Sequence, residues 1–193
     1  MEKRIKKLMD IWIFLKFDVA EFEILFPENQ ENDPIRTEII PDFLIAVSDF
    51  YWDHFMMTIA RLLDPNEQGQ NQNLSLLTLC KVAKELGFNQ IEPIKSRIET
   101  LKEKFSDVRY FRMKHLAHFD LRCSIGEQKF EFNTHITDVK FFLDEMLSII
   151  NMTLEIIGNK PESGAICYPA RYYGAKDFIQ VLENELKRRN GVI

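Results

Sequence analysis

Ile91, Ile94, Ile98, Leu101, Phe105 and Val108 recur at alternating steps of three and four. That spacing is the seam of a long helix packed against another helix. The next positions on the seam are Arg112 and His115, and Phe119 then resumes the apolar series. Charged groups on a buried seam are costly unless they are paired. Either partners elsewhere in the chain satisfy them, or the seam opens here into a cleft or an oligomer interface. Residues 109–120, RYFRMKHLAHFD, are therefore the stretch around which candidate chemistry is sought.

Similar patterning predicts the other elements. Ile5, Leu8, Met9, Trp12, Leu15, Val19 and Phe22 mark an amphipathic first helix over about 2–25. A polar, proline-bracketed loop follows at 27–34. Residues 41–63 predict a second helix, with Pro41 in its first turn and apolar residues nearly all round, as in the central helix of a bundle. Its polar exceptions are Ser48, Asp49, Asp53, His54, Arg61 and the terminal Asp64. His54 and Arg61, seven apart, share a face, and Arg61 and Asp64 stand one turn apart as a local ion pair that supports the fold.

After a loop at 64–73, Asn73 is placed to cap a helix over 74–86 that Gly87 ends. Asn89 and Glu92 resemble a capping box opening the long helix, with Pro93 in its first turn. Beyond Asp120, LRCSIGEQKFEFN reads as a small hairpin or an irregular excursion. A helix over 137–157 closed by Gly158, a loop, and a last helix over 175–189 complete the chain. The last helix is acidic at its start and basic at its end, as the helix dipole favours. The fold class is all-α: one domain, residues 1–193, built as a bundle of five or six helices.

Composition agrees with that reading. Sixteen Phe against seven Gly and seven Pro supply bulky core material and few turns. The net charge of −5 argues against a protein that coats polyanions through a basic excess, although Arg109, Arg112, Lys114 and Arg122 form a local basic cluster. Cys80, Cys123 and Cys167 are odd in number and far apart, which fits neither a disulfide framework nor a zinc ribbon. Cys80 is read as a core cysteine, and the cytoplasm is the expected compartment. No stretch approaches the roughly 20 apolar residues of a membrane span, and the run 11–15 is too short for a signal core. His115, His118 and Asp120 have metal-ligand residue types but no further fixed ligand, so no metal and no cofactor is assigned.

An arginine followed after four to six residues by a histidine, near the end of a long helix in a small all-α domain, resembles the HEPN (higher eukaryotes and prokaryotes nucleotide-binding) superfamily. Arg112 and His118 supply that pair. Three segments, RLLD at 61–64, NLSLLTL at 73–79 and RMKHLAHFD at 112–120, are similar in their order to the abortive-infection branch of the superfamily, type U. The resemblance is strongest over residues 40–157, leaving 175–189 as an appendage to the bundle.

The resemblance implies a metal-independent endoribonuclease. A ribose 2'-OH would attack the adjacent phosphate in a cleft shared by two subunits. Arg112 would hold the phosphate with its planar fork and His118 would act as acid or base. Lys114, His115, Arg109 and Asp120 would support them or bind RNA, with Arg61, Asp64 and His54 as structural support. A homodimer, an RNA substrate, an antitoxin or nucleotidyltransferase partner, and a role as toxin or phage-defence effector are the corresponding expectations. On a straight helix, residues 112 and 118 lie about 120° apart and roughly 9 Å along the axis, so a two-chain site suits them better than a single-chain one. Met113 stands where many members have Asn, Asp or His. The alternative is a non-catalytic helical module binding a protein or nucleotide. A structural alternative for Arg112 and His115 is pairing with Asp64, Asp53 or Asp49.

Overall fold

The computed structural model describes residues 2–27, 41–112, 133–164 and 174–191. These contain α1 (Glu2–Leu25), α2 (Pro41–Leu62), β1 (Glu67–Gln68), β2 (Asn71–Gln72), α3 (Leu77–Glu85), α4 (Glu92–Lys104), α5 (Ser106–Phe111), α6 (Ile136–Ile156) and α7 (Gly174–Arg189). The fold is all-α, and among the described residues the two-residue antiparallel pair β1–β2 is the one exception. Among the described residues there are seven helices, because the predicted long helix is divided in two. None of them is long and apolar enough to cross a membrane. The hairpin predicted after Asp120 and most of the loop predicted at 27–34 lie outside the described residues.

The chain divides into two compact units, one of Met1–Leu15 with His54–Ala165 and one of Lys16–Asp53 with Ile166–Ile193. In the first unit α4 packs on α6, and α3 packs on both. All six seam residues from Ile91 to Val108 are buried, as are Val139, Phe142, Met146, Ile149 and Ile150 of α6. Phe105 meets Phe142 edge-on, with ring centroids 5.4 Å apart. Trp12 is fully buried and its indole N–H donates to the Leu143 carbonyl at 2.8 Å, which satisfies the one polar atom of a large apolar side chain. Lys104 pairs with Asp138 at 2.8 Å, and Arg4 pairs with Glu85. At Gly164 (φ 64°) a Cβ would come within 2.6 Å of Leu147 Cδ2, so the backbone passes close to α6 there.

In the second unit Phe22 gathers Phe26, Tyr51 and Trp52 at centroid separations of 4.8, 5.8 and 5.6 Å. Burial, and secondarily the Glu21 and Asp18 carboxylates, push the Tyr51 hydroxyl above the usual tyrosine range. Glu21 also accepts the Ala175 N–H at 2.7 Å, placing a carboxylate on the positive end of α7.

Several local expectations are corrected. Asn73 does not cap a helix: its side chain donates to the Pro65 carbonyl at 3.0 Å and its N–H to the Asn66 carbonyl at 2.8 Å, closing the β1–β2 turn. The third helix therefore starts later, at Leu77, where the Thr78 hydroxyl accepts the Ser75 N–H at 3.1 Å. Nor does Asn89 cap α4, which begins at Glu92 with Pro93 in its first turn and no side-chain cap. The second half of α2 is buried at Phe55, Met56, Ile59, Ala60 and Leu62 but exposed at Asp53, His54 and Arg61, and in the first half Phe43, Ile45 and Phe50 are exposed. The reverse surprise is a partial capping box on α6, where Asp138 accepts the His135 N–H at 3.0 Å.

Candidate functional site

The candidate site begins where the apolar seam is interrupted. Phe105 (φ −105°, ψ 30°) leaves the helical region and ends α4. Asp107 restarts the helix by accepting the Val108 N–H at 2.8 Å, the kind of local carboxylate contact that competes with a continuous helical ladder. Because the Arg109 N–H still reaches the Phe105 carbonyl at 3.2 Å, the two segments stay joined and Val108 remains buried. α5 then delivers Arg112 at its C-terminal end.

Arg112 does not face water alone. Its Nη1 donates to Asp64 Oδ2 in an ion pair whose side chains are 29% and 20% exposed. Asp64 sits just beyond α2, its own N–H directed at the Arg61 carbonyl at 3.3 Å. The pair therefore ties the end of α2 to the end of α5, across 48 residues of sequence. The predicted local pair of Arg61 with Asp64 is corrected by this contact. An i,i+3 exposed pair contributes only about 0.3–0.5 kcal/mol, so the more buried guanidinium of Arg112 takes the carboxylate. Of the three aspartates considered as partners for the seam arginine, Asp64 is the one that pairs with it. Arg112 makes no second hydrogen bond among the described residues.

Arg61 is exposed and, among the described residues, makes no ion pair. It lines a cleft of about 260 Å³ together with His54 and Thr58, which lie on the same face of α2. Ile11, Phe14 and Leu15 of α1 form the apolar side, with Leu62 and Leu74. The shared face of His54 and Arg61 is thus a wall of this cleft. Phe14 was not singled out by the helical stripe of α1, since it lies off that stripe; its 55% exposure is what marks it. Arg109 is half-buried on α5. Lys114, His115, His118 and Asp120 lie outside the described residues. Among the described residues no group of three or more His, Cys, Asp or Glu is placed to hold a metal ion. Cys80 is buried, and burial pushes its thiol pKa up, so it is an inert core residue.

A helical domain with an arginine held at the end of an interrupted seam helix, and a histidine six residues further along the sequence, is of the HEPN class. The chain belongs to the AbiU2 family of HEPN domains, whose sequence model matches residues 2–165. The match takes in α1, so the family region begins well before residue 40, and it ends before α7. No curated protein and no solved structure gives a significant match.

Proposed function

We propose that the protein is a metal-independent endoribonuclease of an abortive-infection system, cutting RNA at a cleft shared by two copies of the chain. The observation that carries this reading is the Arg112–Asp64 pair, in a chain of an abortive-infection HEPN family. The carboxylate contact aims the guanidinium, and a planar bidentate donor set suits a phosphate. Arg112 holds the scissile phosphate and offsets the charge that builds on it in the transition state. His118 takes the proton of the ribose 2'-OH, whose oxygen attacks phosphorus, or returns a proton to the departing 5'-oxygen. The products are a 2',3'-cyclic phosphate and a 5'-hydroxyl end. Lys114, His115, Arg109 and Asp120 supply charge and hydrogen bonds around that site.

Purified protein incubated with structured RNA in excess EDTA tests the proposal. The expected result is cleavage leaving cyclic phosphate ends, with a DNA strand of the same sequence intact for lack of the 2'-OH. Loss of a positioned acid or base typically costs 10²–10⁴-fold in rate, so His118→Ala is expected to be nearly silent. Arg112→Lys fails as well, since a point charge replaces the fork. Met113, which directly follows Arg112, favours a second reading: a helical module that binds without cleaving. RNA left whole by the wild type, and a stable complex with an antitoxin or nucleotidyltransferase partner, would establish that reading instead.

A further inference from the structure

The cleft lined by Arg61 includes neither Arg112 nor Asp64 but lies close to their contact along the chain, since Arg61 and Asp64 are three residues apart, about 4.5 Å at helical rise. Two features limit what it can hold. Its volume of about 260 Å³ lies below the roughly 300–1,000 Å³ of sites that enclose whole drug-sized ligands. It therefore takes a single ring-sized group. Its lining is of two kinds: aliphatic side chains with the exposed Phe14 ring, and the polar side chains of Thr58, His54 and Arg61.

A cation that makes no ion pair among the described residues and lines a mostly apolar cleft, in a chain of net charge −5, complements an anion that carries an apolar, flat body. A nucleobase with its phosphate has that form. We infer that this cleft is a base-binding subsite: Phe14 stacks on one nucleobase, Thr58 and His54 meet its polar edge, and Arg61 takes its phosphate. As a subsite of RNA cleavage the inference rests on the endoribonuclease reading. It then gives Arg61 a role three residues from the carboxylate that holds Arg112: the RNA strand is held on one nucleotide and cut next to it. Discrimination among bases would arise at Thr58 and His54, because stacking on a phenyl ring accepts every base.

Fluorescence anisotropy with a 2'-O-methylated single-stranded RNA, which cannot supply the attacking hydroxyl, separates binding from cleavage. Phe14→Ala and Arg61→Gln are each expected to weaken binding by at least about 5-fold, the lower end of what one stacked base contributes. Phe14→Trp, which keeps a ring, should bind as the wild type does. An oligomer carrying abasic sites should bind the wild type and Phe14→Ala equally. Weakening that is the same for the abasic oligomer would overturn base recognition and leave only charge. Wild-type affinity in both variants, with RNA cleavage intact, would overturn the subsite and leave the ribonuclease reading standing. A free nucleoside monophosphate distinguishes the remaining case. If it shifts the His54 ring resonances in the wild type but not in Phe14→Ala, while no RNA is cut, the cleft is a nucleotide site and the ribonuclease reading fails.

Discussion

Arg112 reaches Asp64 through one hydrogen bond at the junction of two helices, and that geometry predicts separate effects on fold and on rate. The pair is neither exposed nor deeply buried, with side chains 29% and 20% accessible. Removing the carboxylate should therefore cost about 1–2 kcal/mol, between the under about 1 of exposed pairs and the 3–5 of buried ones. Asp64→Ala is expected to melt a few degrees lower while remaining folded. As a positioning residue, Asp64 should act on kcat with little change in KM, because the freed guanidinium still attracts RNA but no longer waits in one place. Asp64→Asn, which keeps an acceptor oxygen, should recover part of the lost rate. Equal kcat in wild type and Asp64→Ala would show that the pair serves stability alone. The partner choice was not legible from spacing, since Arg61 is one turn from Asp64 whereas Arg112 is 48 residues away. Periodicity reports which residues share a face, and leaves open which of two arginines reaches a carboxylate in space.

At the scale of elements, the seam from Ile91 to Val108 was readable because alternating threes and fours survive folding, and each of those residues is buried. The break inside it was not readable from apolar spacing, which runs through Phe105 without a flaw. Its one signal was Asp107, a residue that readily hydrogen-bonds nearby backbone and so restarts a helix. Element ends were the least legible part: Asn73 and Asn89 both had cap chemistry, and the chain used them in turns instead. α6 shows the converse, since Asp138 holds its N-terminus from within the first turn. The Lys104 ammonium, and then the His135 N–H, hold the Asp138 carboxyl below the usual carboxylate range. A depressed folded pKa stabilises the fold above the unfolded value, near pH 4, and that contribution fades as pH falls through the lower folded value. Asp138→Asn should accordingly lower Tm at pH 7, and the gap to wild type should close as pH falls below about 4. A gap that stays constant over that range would mean that Asp138 acts through packing or a neutral hydrogen bond.

The molecule as a whole is expected to work as a two-fold pair, because residues 112 and 118 point about 120° apart on any one straight helix. In a symmetric dimer the same patch serves both subunits, so each site can take its arginine from one copy and its histidine from the other. Light scattering at micromolar concentration should then give twice 22.9 kDa. A sharper check uses two inactive proteins. Arg112→Lys and His118→Ala, unfolded together and refolded as a mixture, form mixed dimers in half of the pairs. In each mixed dimer one site joins the intact arginine of one copy to the intact histidine of the other, and the second site carries both substitutions. The mixture should therefore regain about a quarter of wild-type cleavage, from the random pairing of equal amounts. Neither variant refolded alone should regain any. If the mixture stays silent while both variants dimerise, arginine and histidine act within one copy. A strict monomer at every concentration would remove the shared cleft altogether and leave the binding module as the stronger account of this chain.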